Sequence, residues 1–235
     1  MNLILKNPEK LIFRTEMNYS LLNAIRRSVE EISTLAIEDV EIFKNDSALY
    51  DEVLAHRLGL IPLKTDSKAG AKTTVELTLK KTGPCTVYSG DFKGDITIPY
   101  KEIPLTILGK EQEIEIVATA VMGKGLYHTK HVPGLLYYRN LFEVKTGNVK
   151  IDSIVSQQKG AIQAEKKGSK WICDLSDSQA DEIKSLDADS IQESKEMIVF
   201  VESFGMLDAD KILIKAGEQL QKNLEVFMRY LEIMI

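Results

Sequence analysis

Between Tyr19 and Leu63 the apolar positions change period twice, from helix to strand and back to helix. In YSLLNAIRRSVEEIS, Leu22, Ile25, Val29 and Ile32 recur at helical spacing, so one face is apolar. Arg26, Arg27, Glu30 and Glu31 fall largely on the other faces, and Asn18 or Ser20 can cap the start. In TLAIEDVEIF, Val40 and Ile42 alternate with Asp39 and Glu41, as on a strand covered on one side. Lys44-Asn45-Asp46-Ser47 carries turn chemistry. ALYDEVLAHRLGLIPL then returns to helical spacing with Tyr50, Leu54 and Leu58, stops at Gly59 and is closed by Pro62.

Upstream, Leu3 and Leu5, then Leu11 and Phe13, alternate around Asn7-Pro8, which predicts two short strands or one hairpin. Downstream, KTDSKAGAK (64–72) is a polar loop. Thr73–Lys80 alternates as a strand, with Val75, Leu77 and Leu79 on one face. A short strand follows at Thr86–Tyr88 among Gly-rich turns. ITIPYKEIPLTIL and QEIEIVATAV add strand-like material, in which Pro99 and Pro104 mark edges or turns. From Thr146 to Lys195 the chain is polar, and the expectation is a short strand pair at Ile151–Val155 and Lys170–Cys173 with Trp171 as anchor. Met197–Val201 (MIVFV) reads as a buried strand.

The C-terminal pattern predicts a helix of about 25 residues capped by Asp208 or Asp210. Leu213, Leu220, Phe227 and Met234 sit seven apart, flanked by Ala216, Leu224 and Leu231. Ile212, Val226, Met228, Ile233 and Ile235 add apolar surface on other faces. A helix this apolar must cover something: either it closes its own domain's sheet, or it gives one face to that sheet and another to a partner, and its length and the apolar residues outside the main stripe favour the second.

Composition narrows the function classes. The 235 residues are 44% hydrophobic, enough for an ordinary core, and carry a net charge of −5, which argues against a protein that holds nucleic acid by itself. No apolar run approaches the ~20 residues of a membrane span. The N-terminus is interrupted by Lys6, Pro8, Glu9 and Lys10, unlike a signal peptide, so a cytoplasmic location is expected. Two cysteines, Cys85 and Cys173, make neither a disulfide framework nor a metal knuckle. His56 beside Arg57 reads as solvent-facing, and His128 with His131 lacks the companions of a zinc site. Gly123-Lys124-Gly125 lacks the rest of a phosphate loop. The DADSIQE run at 187–193 has Gln192 where a calcium loop needs glycine, so it is a solvated face or a helix cap. No catalytic residues and no metal site are expected.

NAIRRSVEEISTLAIEDVEI followed by DEVLAHRLGLIPL resembles the signature of the D subunit of archaeal RNA polymerase, the relative of the bacterial alpha and eukaryotic third subunits. AVMGKGLYHTKHVP (120–133) and FVESFGMLDADKILIKAGEQLQKNL (200–224) fit the same family. The resemblance implies an α+β fold: a discontinuous, alpha-subunit-like dimerisation domain of a sheet plus two helices (1–46 and 197–235), an inserted β-rich domain (47–146) and a small add-on (147–196). It implies a non-catalytic assembly subunit that pairs with subunit L, then binds the second-largest and largest subunits and small zinc-binding subunits, with DNA contact indirect. Leu22, Ile25, Val29, Leu220, Leu224, Phe227 and Leu231 would face subunit L. Arg26 and Arg27, and the cluster Lys124, His128, Lys130 and His131, would face a large subunit, where arginine's planar fork suits carboxylates. Many archaeal members hold iron–sulfur clusters near 146–196, but Cys173 is the only cysteine there, so no cofactor is expected. A self-associating scaffold unrelated to transcription is the alternative, and the residues alone leave open whether the helical face prefers itself or another chain.

Overall fold

The computed structural model describes residues 2–66, 69–70 and 72–234. Residues 67, 68 and 71 of the expected 64–72 loop, and Ile235 of the terminal helix, lie outside the described residues. The chain forms two compact units: Met1–Lys6, Leu11–Asn23 and Leu136–Phe200 make one, and Asn7–Lys10, Ala24–Leu135 and Val201–Ile235 make the other.

The N-terminal hairpin, whose strands lie mainly in the first unit, forms as the alternation requires. β1 (Asn2–Lys6) pairs antiparallel with β2 (Lys10–Thr15). Asn7 shapes the turn by accepting from the amides of Glu9 and Lys10. Together with β9 (Gly134–Lys145), β10 (Glu165–Lys167), β11 (Lys170–Cys173) and β12 (Ile191–Ser203) they make a six-stranded sheet ordered β1-β2-β12-β9-β11-β10. Ile12, Leu141, Ile172, Ile198 and Phe200 pack in one cluster. Arg14, nearly buried, bridges Glu165 at 2.8 Å and also binds Glu196, so its charge is compensated inside the fold.

The 146–196 segment departs from expectation in one respect. Lys170–Cys173 is a strand, but Ile151–Val155 lies in helix α3 (Val149–Ser156). Asn148 caps that helix by accepting from the Lys150 amide, and Ile151, Ile154 and Val155 then share a face at i, i+3 and i+4. The β-branched residues that suggested a strand are therefore the core face of a short helix. A second helix, α4 (Asp177–Leu186), starts with a Ser176/Gln179 capping box. Asp187 ends α4 and accepts from the Asp189 amide, which is the capping reading of the 187–193 run. Trp171 packs against this core and donates its indole N–H to Asp152 at 2.8 Å.

In the second unit, β3 (Thr34–Asn45), β8 (Glu113–Gly123), β4 (Thr74–Thr82) and β6 (Lys93–Gly94) form a sheet in the order β3-β8-β4-β6. β8 alternates strictly, burying Ile114, Ile116, Ala118 and Ala120. β5 (Cys85–Tyr88) and β7 (Pro104–Leu108) form a separate two-stranded sheet. Helix α2 (Asp51–Gly59) adds Leu54 and Leu58, both fully buried, to the core with Ile37, Leu77 and Leu79. Each such side chain stabilises the fold by roughly 1.5–3 kcal/mol. Tyr50 is not part of that face: it precedes the helix and is 80% exposed, because the helix begins one residue later.

Helix α1 (Tyr19–Ser28) begins in the first unit and ends in the second, capped by Asn18, whose side chain accepts from the Leu21 amide at 2.8 Å. Helix α5 (Ala209–Met234) has the predicted length. Its buried residues are Ala209, Ile212 and Ala216, so Ile212 lies on the core face and not among the outlying positions.

Candidate partner-binding surfaces

Beyond Ala216 the helix α5 leaves its own fold. Leu220 and Leu231 are half-buried, Leu224 and Phe227 are exposed, and so are Val226, Met228, Tyr230, Ile233 and Met234. At 100° per residue these apolar side chains occupy an arc of about 220°, wider than one packed neighbour covers. The stretch Leu220–Met234 extends about 22 Å. A folded chain does not keep that much contiguous apolar surface in water without a use for it. Gln219 and Asn223 mark where burial stops: their side-chain amides donate to the two oxygens of Glu31, at 3.3 and 2.9 Å.

The α1 side of the expected subunit-L surface needs correction. Leu22 and Val29 are 1% and 3% exposed and belong to the chain's own core, so neither is available to a partner. Their helical spacing marked a buried face, and that face is internal. Ile25 is half-buried. The apolar residues that α1 does present are Tyr19 and Leu21. Arg26 and Arg27 lie exposed in its last turn.

The loop 124–131 sorts its charged residues differently from expectation. Lys130 is withdrawn: its side chain is 11% exposed, pairs with Glu38 at 2.5 Å and donates to the Ile37 carbonyl at 3.0 Å. That ammonium holds the Glu38 carboxyl below its ordinary pKa. His131 is buried, donating Nδ1–H to the Thr34 carbonyl at 2.9 Å, while the Thr34 hydroxyl donates to the His131 carbonyl at 2.6 Å. Burial pushes the His131 pKa down, so the ring is a neutral structural clasp. Two of the four expected contact groups are thus internal, because an ion pair and a reciprocal hydrogen-bond pair satisfy them within the chain. His128 is exposed, with Nδ1 accepting from the Lys130 amide, and Lys124 is half-buried.

The glycines flanking Lys124 serve packing. A Cβ on Gly123 would sit 2.4 Å from the His131 ring, and one on Gly125 would meet Val132 and the Glu30 carbonyl. The loop is thereby pinned, with the Leu126 amide donating to the Glu30 carbonyl at 3.1 Å. At its tip Leu126 and Tyr127 stand 58% and 86% exposed. Sequence reasoning passed over both, since two adjacent apolar residues in a Gly-rich loop carry no period; the signal was their lack of any apolar neighbour to pair with.

Among the described residues no group of three or more His, Cys, Asp or Glu is arranged to hold a metal ion. No helix among them is long and apolar enough to cross a membrane. Burial pushes the Cys173 thiol up to about 12, which leaves it unreactive.

Residues 40–156 match the family model described as the RNA polymerase Rpb3/RpoA insert domain. The chain is 33% identical over 227 residues to the DNA-directed RNA polymerase subunit Rpo3 of Methanocaldococcus jannaschii, covering 96% of this chain and 92% of that protein. It is 38% identical over 151 residues to the Rpo3 subunit of Pyrococcus horikoshii, covering 59% of this chain and 58% of that one. For the Rpo3 subunit of Pyrococcus furiosus the identity is 40% over 134 residues, about half of each chain.

Proposed function

The chain belongs to the family of DNA-directed RNA polymerase subunit Rpo3, the archaeal D subunit, and from that membership we propose how it assembles a polymerase. It is a non-catalytic subunit, and the polymerising site belongs to other chains. In this reading α5 pairs with subunit L through Leu220, Leu224, Phe227 and Leu231, with Ile25 of α1 as the second contribution. The heterodimer then receives the second-largest and largest subunits, and small zinc-binding subunits dock on the same platform. Arg26, Arg27, Lys124, His128 and the tip residues Leu126 and Tyr127 are the groups proposed to meet a large subunit. DNA contact is indirect, and the protein works in the cytoplasm. The discontinuous dimerisation domain (1–46 and 197–235), with its insert at 47–146 and add-on at 147–196, belongs to the same proposal. So does the lack of an iron–sulfur cluster, since two cysteines cannot supply four thiolates.

The observation that carries the pairing is the apolar C-terminal half of α5, unburied from Leu220 onward and too wide for a single neighbour. The test is the mass of the purified chain in solution, alone and co-expressed with an archaeal subunit L. A tight one-to-one complex is expected, with the lone chain poorly soluble. A stable homodimer that ignores subunit L would overturn the proposal.

A further inference from the structure

A hollow between α2 and β7 lies apart from the surfaces assigned above. Ala48, Leu49, Thr86, Pro104, Ile107 and the Arg57 stem line a volume of about 350 Å³. Ile107 is 71% exposed, although Leu105 and Leu108 on the same strand are buried. β7 pairs with β5 alone, so its far edge has no strand partner among the described residues. At the rim, Arg57 donates through Nη2 to the Pro104 carbonyl at 2.5 Å and forms no ion pair among the described residues.

Apolar walls beside a cation without a counter-ion select a ligand with two parts. The hollow removes an apolar side chain from water, and the guanidinium offers its remaining donors to a carboxylate. The net charge of −5 gives no general attraction for an acidic segment, so its capture depends on local cations such as Arg57. We propose that this hollow docks an extended, acidic segment of a partner protein, an apolar side chain seated against Leu49 and Ile107 and the following Asp or Glu bound to Arg57.

The test uses the isotope-labelled full chain, kept in solution with subunit L where the lone chain is poorly soluble, and the capped hexapeptide Ser-Leu-Phe-Asp-Glu-Ser, followed by NMR shifts up to millimolar peptide. Shifts should concentrate at Leu49, Thr86 and Ile107. Arg57→Gln and Ile107→Ser should each weaken binding about tenfold, as for the loss of one charge-assisted hydrogen bond or one buried side chain, and Arg57→Lys should restore part of it. Both positions are exposed, so the variants keep the fold; control peptides with Ser-Ser for Leu-Phe, or Asn-Gln for Asp-Glu, decide the matter on the unaltered chain. The proposal is overturned if these amides do not shift, if shifts scatter over the surface, or if either control peptide binds as well as the original.

Discussion

The two halves of α5 share one repeating pattern and have different surroundings. Leu213, Leu220, Phe227 and Met234 run through both at heptad spacing. In the first half Ala209, Ile212 and Ala216 are completely buried; in the second, Phe227, Tyr230 and Met234 are 57%, 63% and 82% exposed. The change falls where Gln219 and Asn223, one heptad after Ile212 and Ala216, bring amides to Glu31. Apolar periodicity therefore states that a face will be covered, and is silent about which chain covers it.

The sharpest way to break this comparison is a charge in each half. Ile212→Asp puts an unpaired carboxylate in the core and should cost several kcal/mol, about 3–5, leaving a chain without a cooperative thermal transition. A wild-type melt for that variant would remove the distinction between the halves. Phe227→Asp should leave the melt of the lone chain within about 0.5 kcal/mol of wild type. Its affinity for subunit L, measured by calorimetry, should fall at least about thirtyfold, as for the loss of an interface anchor. Glu31→Ala removes the acceptor at the boundary and should destabilise the chain by about 1 kcal/mol in denaturant titration, because both amides can turn to water.

The smallest expected effect is acid sensitivity at the anchored end. Hydrogen bonds from Lys211 and Lys64 lower the Asp208 pKa below its ordinary 3.8. The folded chain thus binds this proton less readily than the unfolded one. The contribution is complete above the ordinary value and is lost as pH falls through the lowered folded value. Asp208→Asn should flatten that part of the stability–pH curve. An unchanged acid limb would show that the pair, partly exposed, contributes nothing measurable.

How much was legible in the chain follows from the same distinction. Elements whose period and caps agree were plain: the N-terminal hairpin, α1 with Asn18, α2 between Leu54 and Gly59, and the length of α5. Ile151–Val155 misled because β-branched residues suit strands, whereas Asn148 and the i, i+3, i+4 spacing determine a helix. A helical stripe gives no sign of which neighbour it meets, so Leu22 and Val29 read as outward although the chain's own core holds them. Lys130 and His131 lay in a segment that resembles a contact loop, yet their partners Glu38 and Thr34 are some ninety residues away in sequence. Long-range polar pairing leaves no local pattern. Nor did Arg57 stand out, since its lack of a counter-ion is visible only once its surroundings are folded.

The Glu31 contact has a consequence for how association proceeds. A free peptide of about fifteen residues is only marginally helical in water, because nucleating the first turn is unfavourable. Leu220–Met234 avoids that step by continuing a helix whose first turns are already packed, and the two amides on Glu31 fix its exit from the fold. In the proposed pairing the partner would meet a helix already formed, and little ordering entropy would oppose docking. In that reading the same preformed apolar surface would also be available to a second copy of the chain until the partner covers it.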